Sequence, residues 1–165
     1  MTIRRTRFIA AIAVIAGAVS LLAGCAGDVP MESAENSNDP ACADVIVRLP
    51  ATVAELDKRT TNAQATGAWG DPAGVLLYCG IEPTGPTTQE CVNVNGVDWI
   101  VDDTRAPLYR FEAYGREPGL QVVVDSEKAS GTAAVLDLSA VVKQLPQMRQ
   151  CTSVNDTFEL GPDAG

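Results

Sequence analysis

The stretch Cys91-Val-Asn-Val-Asn95-Gly96-Val-Asp-Trp-Ile-Val101 decides the fold, because it has the pattern of two short strands joined by a tight turn. Asn95 and Gly96 tolerate the positive φ angles that a two-residue type I′ turn requires, and such a turn matches the twist of a hairpin. The flanking segments are rich in valine, isoleucine and tryptophan, which favour strands. The sequence therefore predicts an antiparallel hairpin over residues 91–101.

Segments on both sides of this hairpin extend the predicted sheet. Residues 108–114 alternate between polar and apolar positions, and residues 120–124 form a short apolar run. A further apolar run, 74–79, follows a break in the chain at Asp71-Pro72. The segments 108–114 and 120–124 are predicted as strands.

The remaining predicted elements are shorter. They are a strand over 43–49, a helical turn that begins at Pro50, a strand or helix start over 133–138, and a helix capped by Ser139 that ends before Pro146. Together the elements predict an α+β fold, a small single domain with a mainly antiparallel sheet, short helices and two disulfides.

The composition of the chain excludes several classes of chemistry. The chain has 165 residues, enough for about one domain, with a formal net charge of −9 and no histidine. Without an imidazole there is no Ser-His-Asp or Cys-His catalysis and no histidine-ligated zinc. A net acidic chain is also a poor match for nucleic acid, because phosphate binding needs clustered Lys and Arg. We therefore expect no nucleic-acid partner, no cofactor and no metal.

The N-terminal residues have the pattern of an export signal. Arginines at positions 4, 5 and 7 precede an apolar run over 8–22, shorter than the roughly 20 apolar residues of a comfortable membrane span. The run ends in Leu22-Ala23-Gly24-Cys25, which resembles the bacterial lipobox, where the cysteine is acylated and the chain is cut before it. We therefore expect a lipoprotein signal peptide over 1–24. We expect Cys25 to carry palmitate-type acyl chains that anchor the protein on the extracytoplasmic face of the cell membrane.

The segment that follows the lipobox is polar and acidic and has few large apolar side chains. Such a segment buries too little apolar surface to offset the entropy of ordering it. We therefore predict a flexible tether over residues 25–41, beginning at the lipidated cysteine, and one extracytoplasmic α+β domain over residues 42–165.

Four cysteines remain once Cys25 is assigned to the lipid. An even number in an exported chain predicts disulfides, and four cysteines allow three pairings. We favour Cys79–Cys91, which closes the loop 80–90, together with Cys42–Cys151, which joins the ends of the domain. A four-thiolate zinc site and a redox motif are disfavoured, because no Cys-x-x-Cys pair occurs.

Several short motifs occur in a recognisable order along the chain. They are Cys42-Ala-Asp-Val45, Arg48-Leu-Pro50, Ala68-Trp-Gly-Asp-Pro72, Cys79-Gly80, Val94-Asn-Gly-Val-Asp-Trp99 and Tyr114-Gly-Arg116. In this order they resemble the actinobacterial domain-of-unknown-function family 3515, small exported proteins and lipoproteins without an assigned activity. The resemblance spans nearly all of residues 42–151 and implies an actinobacterial cell envelope. It carries no catalytic residue over to this chain.

Two tryptophans are the most distinctive side chains of the domain. Trp69, beside Gly70 and Asp71, and Trp99, in the predicted hairpin, could each present an indole face to a ligand. Packing in the core is the favoured interpretation for both. Arg116 could bind an anion through bidentate hydrogen bonds, although pairing with nearby acids is favoured. The candidate ligand surface therefore comprises Trp69, Asp71, Trp99 and Arg116.

Carboxylates offer the remaining candidate chemistry. Asp98, Asp102 and Asp103 supply oxygen atoms that calcium prefers, but they lack the spacing of an EF-hand loop, so a solvated strand end is favoured. A hydrolytic pair of carboxylates would come from the nearest acidic residues, for which surface roles are favoured. These are Glu112, Glu117 and Asp125.

These observations predict a membrane-anchored lipoprotein of the cell envelope that acts as a non-enzymatic binding or accessory module. Its expected partners are the cytoplasmic membrane, through the lipid at Cys25, and an envelope protein or wall component. No catalytic residue is assigned. The alternative is a carboxylate-dependent hydrolase or transferase that acts on an envelope component.

Overall fold

A computed structural model of the chain describes residues 27–152. The elements, in chain order, are helix α1 (Pro40–Val47), strands β1 (Thr52–Val53), β2 (Leu56–Arg59), β3 (Thr66–Gly70), β4 (Ala73–Ile81), β5 (Cys91–Val94), β6 (Val97–Asp102), β7 (Leu108–Ala113) and β8 (Gly119–Asp125), and helix α2 (Gly131–Val142). The strands form one antiparallel sheet in the order β1-β2-β3-β4-β8-β7-β6-β5. The predicted α+β fold is confirmed.

The hairpin that the sequence predicts is confirmed as β5 and β6. Val92 pairs with Trp99, and the turn residues Asn95 and Gly96 have φ angles of 49° and 74°. Both angles lie in the left-handed region that a type I′ turn requires. The strands predicted over 108–114 and 120–124 are confirmed as β7 and β8, and the apolar run 74–79 lies in β4.

The sheet curls around helix α2, which contacts both of its edges. The carboxylate of Asp137 accepts a hydrogen bond from the backbone N–H of Ala54, beside β1, over 2.8 Å. The hydroxyl of Ser139 donates to the carbonyl oxygen of Val94, at the end of β5, over 3.2 Å. Residues two positions apart on a helix point to opposite sides of it. Helix α2 therefore fills the gap between the two edges of the sheet.

The hydrophobic core occupies the concave side of this curled sheet. Its largest fully buried side chains come from both strands and helix, and include Trp69, Trp99, Leu77, Leu120 and Leu138. Burying a side chain of this kind contributes roughly 1.5–3 kcal/mol relative to leaving it in water. The core is thus the reason that α2 and the sheet stay together.

Two predictions near the start of the domain are wrong. The predicted strand over 43–49 is helix α1, because Asp39 caps its N-terminus by accepting a hydrogen bond from the N–H of Ala41 over 2.8 Å. A short apolar run does not by itself distinguish a strand from a buried helix. The helical turn predicted from Pro50 is instead the hairpin β1–β2, whose connecting residues Ala54 and Glu55 have left-handed φ angles.

The start of α2 also differs from one prediction. The ambiguous segment 133–138 is helical, and the helix begins earlier, where the side chain of Ser130 accepts a hydrogen bond from the N–H of Ala133 over 3.3 Å. Ser139 is not a cap. It lies inside the helix, where its one hydroxyl proton is shared between the carbonyl oxygen of Val135, over 2.6 Å, and that of Val94.

The four cysteines form two disulfides, but the predicted pairing is wrong. The bonds join Cys42 to Cys79 and Cys91 to Cys151, with Cα–Cα distances of 5.6 and 6.2 Å. Cys79 lies on β4 and Cys91 on β5, and four inter-strand steps of about 4.8 Å each separate these strands along the sheet. A disulfide joins Cα atoms within about 7 Å. The connecting loop crosses three strands that come later in the chain, so proximity in sequence is misleading here.

The segment predicted as a flexible tether (25–41) packs against the domain from residue 27 onward. The N–H of Val29 donates to the carbonyl oxygen of Thr60 over 2.8 Å, and the N–H of Asn36 donates to the carbonyl oxygen of Gly80 over 2.9 Å. Composition does not reveal this packing, because backbone groups rather than large apolar side chains make these contacts. The tether prediction is therefore wrong for the described part of the segment.

The predicted signal peptide (1–24) and the lipidation site Cys25 lie outside the described residues, as do residues 153–165. Neither described helix has the length and apolar character needed to cross a membrane.

Candidate functional site

Both tryptophans of the candidate ligand surface are completely buried. Trp69 on β3 and Trp99 on β6 each have an exposed fraction of 0%. The indole N–H of Trp69 donates to the carbonyl oxygen of Pro50 over 3.1 Å, and that of Trp99 has no hydrogen-bond partner among the described residues. The prediction that these indoles form a ligand surface is therefore wrong, and the packing interpretation is confirmed.

Asp71 and Arg116 lie at opposite ends of the strands and do not form a common site. Asp71 is exposed in the turn between β3 and β4, where it forms an ion pair with Arg59 over 2.9 Å. Arg116 is buried between β7 and β8, and its Nη1 donates to the carbonyl oxygen of Leu145 over 2.8 Å. Burial lowers the pKa of the Arg116 guanidinium, and the nearby charge of Asp98 acts in the opposite direction. Arg116 is therefore a structural cation and not part of a ligand surface.

A polar cleft of about 560 Å³ lies on the outer face of the hairpin β5–β6. Trp99 points inward, so its neighbour Asp98 and the cross-strand partner Asn93 point outward. The amide side chains that line the cleft are exposed, whereas Asp98 is only 7% exposed. The lining amides are those of Gln89, Asn93, Gln147 and Gln150, and the Cys91–Cys151 disulfide completes the wall.

The carboxylate of Asp98, at the base of the cleft, binds residues on two of its walls. Its Oδ1 accepts a hydrogen bond from the amide of Asn93 over 2.7 Å, and its Oδ2 accepts one from the backbone N–H of Cys151 over 2.9 Å. The carboxylate thus joins the hairpin to the C-terminal segment at the point where the disulfide also joins them. A hydrogen bond and a disulfide therefore both connect Cys151 to the hairpin at the cleft.

The cleft can bind groups that both donate and accept hydrogen bonds. Amide side chains carry a donor and an acceptor, and none of the described lining residues is basic. This chemistry matches neutral ligands with hydroxyl or amide groups better than anions. The sequence did not reveal the cleft, because glutamine and asparagine are ordinary surface residues. The one available signal was the pairing of Asn93 with Asp98 across the predicted turn.

The aspartates considered for calcium are not gathered into one site. Asp98 has hydrogen bonds to both oxygens, and Asp102 pairs with Arg110 over 3.3 Å. Hydrogen bonds from Thr104 are the main cause of a lowered pKa at Asp102. Across residues 27–152, no group of three or more Cys, Asp or Glu side chains is arranged to hold a metal ion.

The acidic residues considered for hydrolysis are also apart. Glu112 is 6% exposed and accepts hydrogen bonds from the N–H and hydroxyl of Thr84 over 2.7 and 2.8 Å, which holds the loop between β4 and β5. Asp125 pairs with Leu108, four residues along β7 from Glu112, so the Cα atoms of the two acids are about 14 Å apart. Paired glycosidase carboxylates lie within about 10 Å of each other. Glu117 is exposed outside β7 and β8.

The geometry thus defines a disulfide-linked α+β domain whose curled sheet carries a polar cleft on its outer surface. The chain belongs to the family described as protein of unknown function (DUF3515), whose model matches residues 6–150. This match confirms the resemblance seen in the order of the motifs. No curated protein and no solved structure shows significant similarity to the chain.

The motifs that carry the resemblance build the framework of the domain. They supply the Cys42–Cys79 disulfide, the hydrogen bond from Trp69 to Pro50, the Asn95-Gly96 turn, the anchoring of Cys151 by Asp98 and the contact of Arg116 with Leu145. Among them, Gly96 and Asp98 also line the cleft. The residues that carry the family resemblance therefore include both the framework of the fold and the base of the candidate site.

Proposed function

We propose that this protein is a membrane-anchored lipoprotein of the bacterial cell envelope and that its domain is a non-enzymatic binding or accessory module. The observation that carries the proposal is a lipobox ending at Cys25 directly before a domain with two disulfides. Structural disulfides persist in oxidising, extracytoplasmic compartments. An acylated N-terminal cysteine carries at least two chains, which is enough for stable anchoring.

The polar cleft supports the binding role. Its amides suit a neutral ligand with hydroxyl or amide groups, such as the sugar or peptide part of a wall component. Asp98 and the Cys91–Cys151 disulfide hold the cleft before any ligand arrives, and a site that is already ordered loses less entropy on binding.

The anchor is tested by expressing the full chain and its Cys25→Ser variant in an actinobacterial host. The wild-type protein is expected in the membrane fraction, with an acylated N-terminal peptide seen by mass spectrometry. The variant is expected to lose both the acyl mass and cleavage before residue 25. Ala26→Ser is the matched control, because it changes the neighbouring residue and leaves the cysteine intact. Equal processing of wild type and Cys25→Ser would overturn the anchor.

The ligand class is tested by thermal unfolding with a panel of muropeptides and wall sugars. A ligand at about a hundred times its Kd stabilises the folded state by about 2.7 kcal/mol. Asn93→Ala and Gln150→Ala are expected to weaken this shift, whereas Gln144→Ala, an exposed amide outside the cleft lining, is expected to leave it unchanged. A shift that survives both cleft variants would exclude the cleft as the binding site. No shift with any compound would contradict the proposed ligand class.

A further inference from the structure

We propose that the lipid bilayer surface lies on the side of the domain where Gly27 packs against Arg59 of β2, and that the polar cleft faces away from the membrane. This inference rests on the proposed lipid anchor at Cys25. It concerns the orientation of the domain relative to the membrane. The N-terminal segment packs against the domain from residue 27 onward, so the lipid is attached close to the surface of the domain.

The attachment point for the lipid is close to a fixed place on the domain. The carbonyl oxygen of Gly27 accepts a hydrogen bond from Nη2 of Arg59 over 3.0 Å, and Val29 is held by Thr60. Only one residue lies between Cys25 and Gly27. Two residues of extended chain span at most about 7 Å. An acylated Cys25 would therefore hold this part of the domain at the headgroups.

The surface around Gly27 belongs to the outer face of the sheet. Trp69 points into the core, so its neighbour Ala68 and the strand partner Arg59 point to the other face of the sheet. Ala68 is buried there as well, and Arg59 is partly exposed. Nη1 of Arg59 also contacts the carbonyl oxygen of Gly70 over 3.2 Å and the carboxylate of Asp71 over 2.9 Å. We call these four residues, Gly27, Arg59, Gly70 and Asp71, the anchor patch. Its contacts fix the place where the chain leaves the domain.

The cleft lies on the opposite side of the curled sheet. In one direction, β4, β8 and β7 separate the pair β2–β3 from the pair β5–β6, and in the other direction β1 and α2 separate them. Because the sheet closes around α2, the outer faces of these two pairs of strands point in opposite directions. With the anchor patch on the bilayer, the cleft opens into the envelope.

This orientation restricts the classes of ligand that can reach the cleft. A lipid headgroup in the same membrane lies on the wrong side of the domain. The sugar or peptide part of a wall component, which extends away from the bilayer, lies on the correct side. The amide lining of the cleft fits the same class.

The orientation is tested by energy transfer from tryptophan to dansyl-labelled headgroups in phosphatidylcholine vesicles that carry the acylated full chain. The chain contains two tryptophans, Trp69 on β3 and Trp99 on β6, so Trp99→Phe and Trp69→Phe form a matched pair of single-tryptophan variants. Transfer is expected to be more efficient from Trp69 than from Trp99. Equal transfer, or more efficient transfer from Trp99, would overturn the proposal.

Two further measurements make the outcome independent of how well these variants fold. In the wild-type protein, a gadolinium-chelating headgroup lipid is expected to broaden the amide signals of Val29 and Thr60 more than that of Asn93. The reverse order would contradict the proposal. A flexible Gly-Ser insert of about 20 residues after Ala26 has a root-mean-square reach of about 25 Å. It frees the domain to rotate, so the signals of Val29, Thr60 and Asn93 are then expected to broaden equally. Mass spectrometry of the N-terminal peptide shows separately whether acylation has occurred, so a missing anchor and a wrong orientation give different results.

Discussion

Arg116 Nη1 lies 2.8 Å from the carbonyl oxygen of Leu145, and this contact joins the turn between β7 and β8 to the chain that leaves α2. The backbone supports the same junction, because the N–H of Met148 donates to the carbonyl oxygen of Gly115 and Arg116 forms a bridge with Gln147. From here the chain runs to Cys151, where Asp98 and the disulfide hold it beside the cleft. Arg116 thus supports one wall of the candidate site from inside the domain.

Replacing this buried cation is expected to destabilise the domain. Arg116→Ala leaves the carbonyl oxygen of Leu145 without its charged donor, and the loss of such a hydrogen bond lowers the free energy of unfolding by about 1.5–3 kcal/mol. Arg110→Ala is the control, since its side chain is 39% exposed and its ion pair with Asp102 is worth about 1 kcal/mol at most. Urea unfolding of both variants measures the difference. Equal destabilisation would contradict a structural role for Arg116.

The sequence predicts those parts of the fold that local rules determine. Asn95-Gly96 specifies its turn because few other residues adopt two left-handed φ angles in succession, and the alternating segment 108–114 specifies β7. Helix α1 could not be predicted from its own residues, because a short run of alanine, valine and isoleucine is equally compatible with a strand. Its helical state depends on the Asp39 cap and on packing.

The disulfide pairing and the cleft could not be predicted for a different reason. Both depend on the order of strands in the sheet, in which β8, β7 and β6 separate β4 from β5. The cleft also needs the C-terminal segment beside β5, a contact between residues 53 positions apart in the bond from Cys151 to Asp98. No local pattern encodes such a contact. The burial of Trp69 and Trp99, by contrast, could be predicted from the hydrophobicity of the residues alone.

Gly80→Ala is expected to release the N-terminal segment from the domain. A Cβ at this position would clash with the backbone of Asn36, and the φ angle of +94° is itself unfavourable for alanine by about 1–3 kcal/mol. Hydrogen exchange is therefore expected to become faster over residues 27–37. Gly85→Ala is the matched control, because a Cβ there meets no atom within 4 Å. Unchanged exchange in Gly80→Ala would show that these contacts do not hold the segment.

The stability of the domain is expected to fall in acid, in part through Asp125. A hydrogen bond from Lys128 over 2.8 Å, followed by one from the N–H of Glu127 over 3.1 Å, lowers the pKa of Asp125 below its ordinary value. A carboxyl group whose pKa is lower in the folded state than in the unfolded state stabilises the folded protein. For an aspartate this contribution is complete at pH values above its unfolded pKa of about 3.9. This contribution decreases as the pH falls below that value and is gone below the folded pKa.

Asp125→Asn is the variant that isolates this effect. It is expected to be less stable than the wild type at pH 7 and to approach the stability of the wild type as the pH falls below about 4. Asp103→Asn, at an exposed position, controls for the change in net charge. The measurement is urea unfolding at several pH values. A difference from wild type that is constant from pH 7 to pH 2 would contradict the assignment.

The two disulfides are expected to differ in their access to reductant. Cys42 and Cys79 are completely buried, whereas Cys91 and Cys151 are partly exposed at the wall of the cleft. A thiol must reach the sulfur atoms to attack a disulfide, so Cys91–Cys151 is expected to open first under native conditions. Differential alkylation followed by peptide mapping identifies which pair is reduced. The same experiment in denaturant is the control, because both bonds are then accessible and the order is expected to disappear. Earlier reduction of Cys42–Cys79 would contradict the burial of that pair, and a peptide linking Cys79 to Cys91 would contradict the strand order.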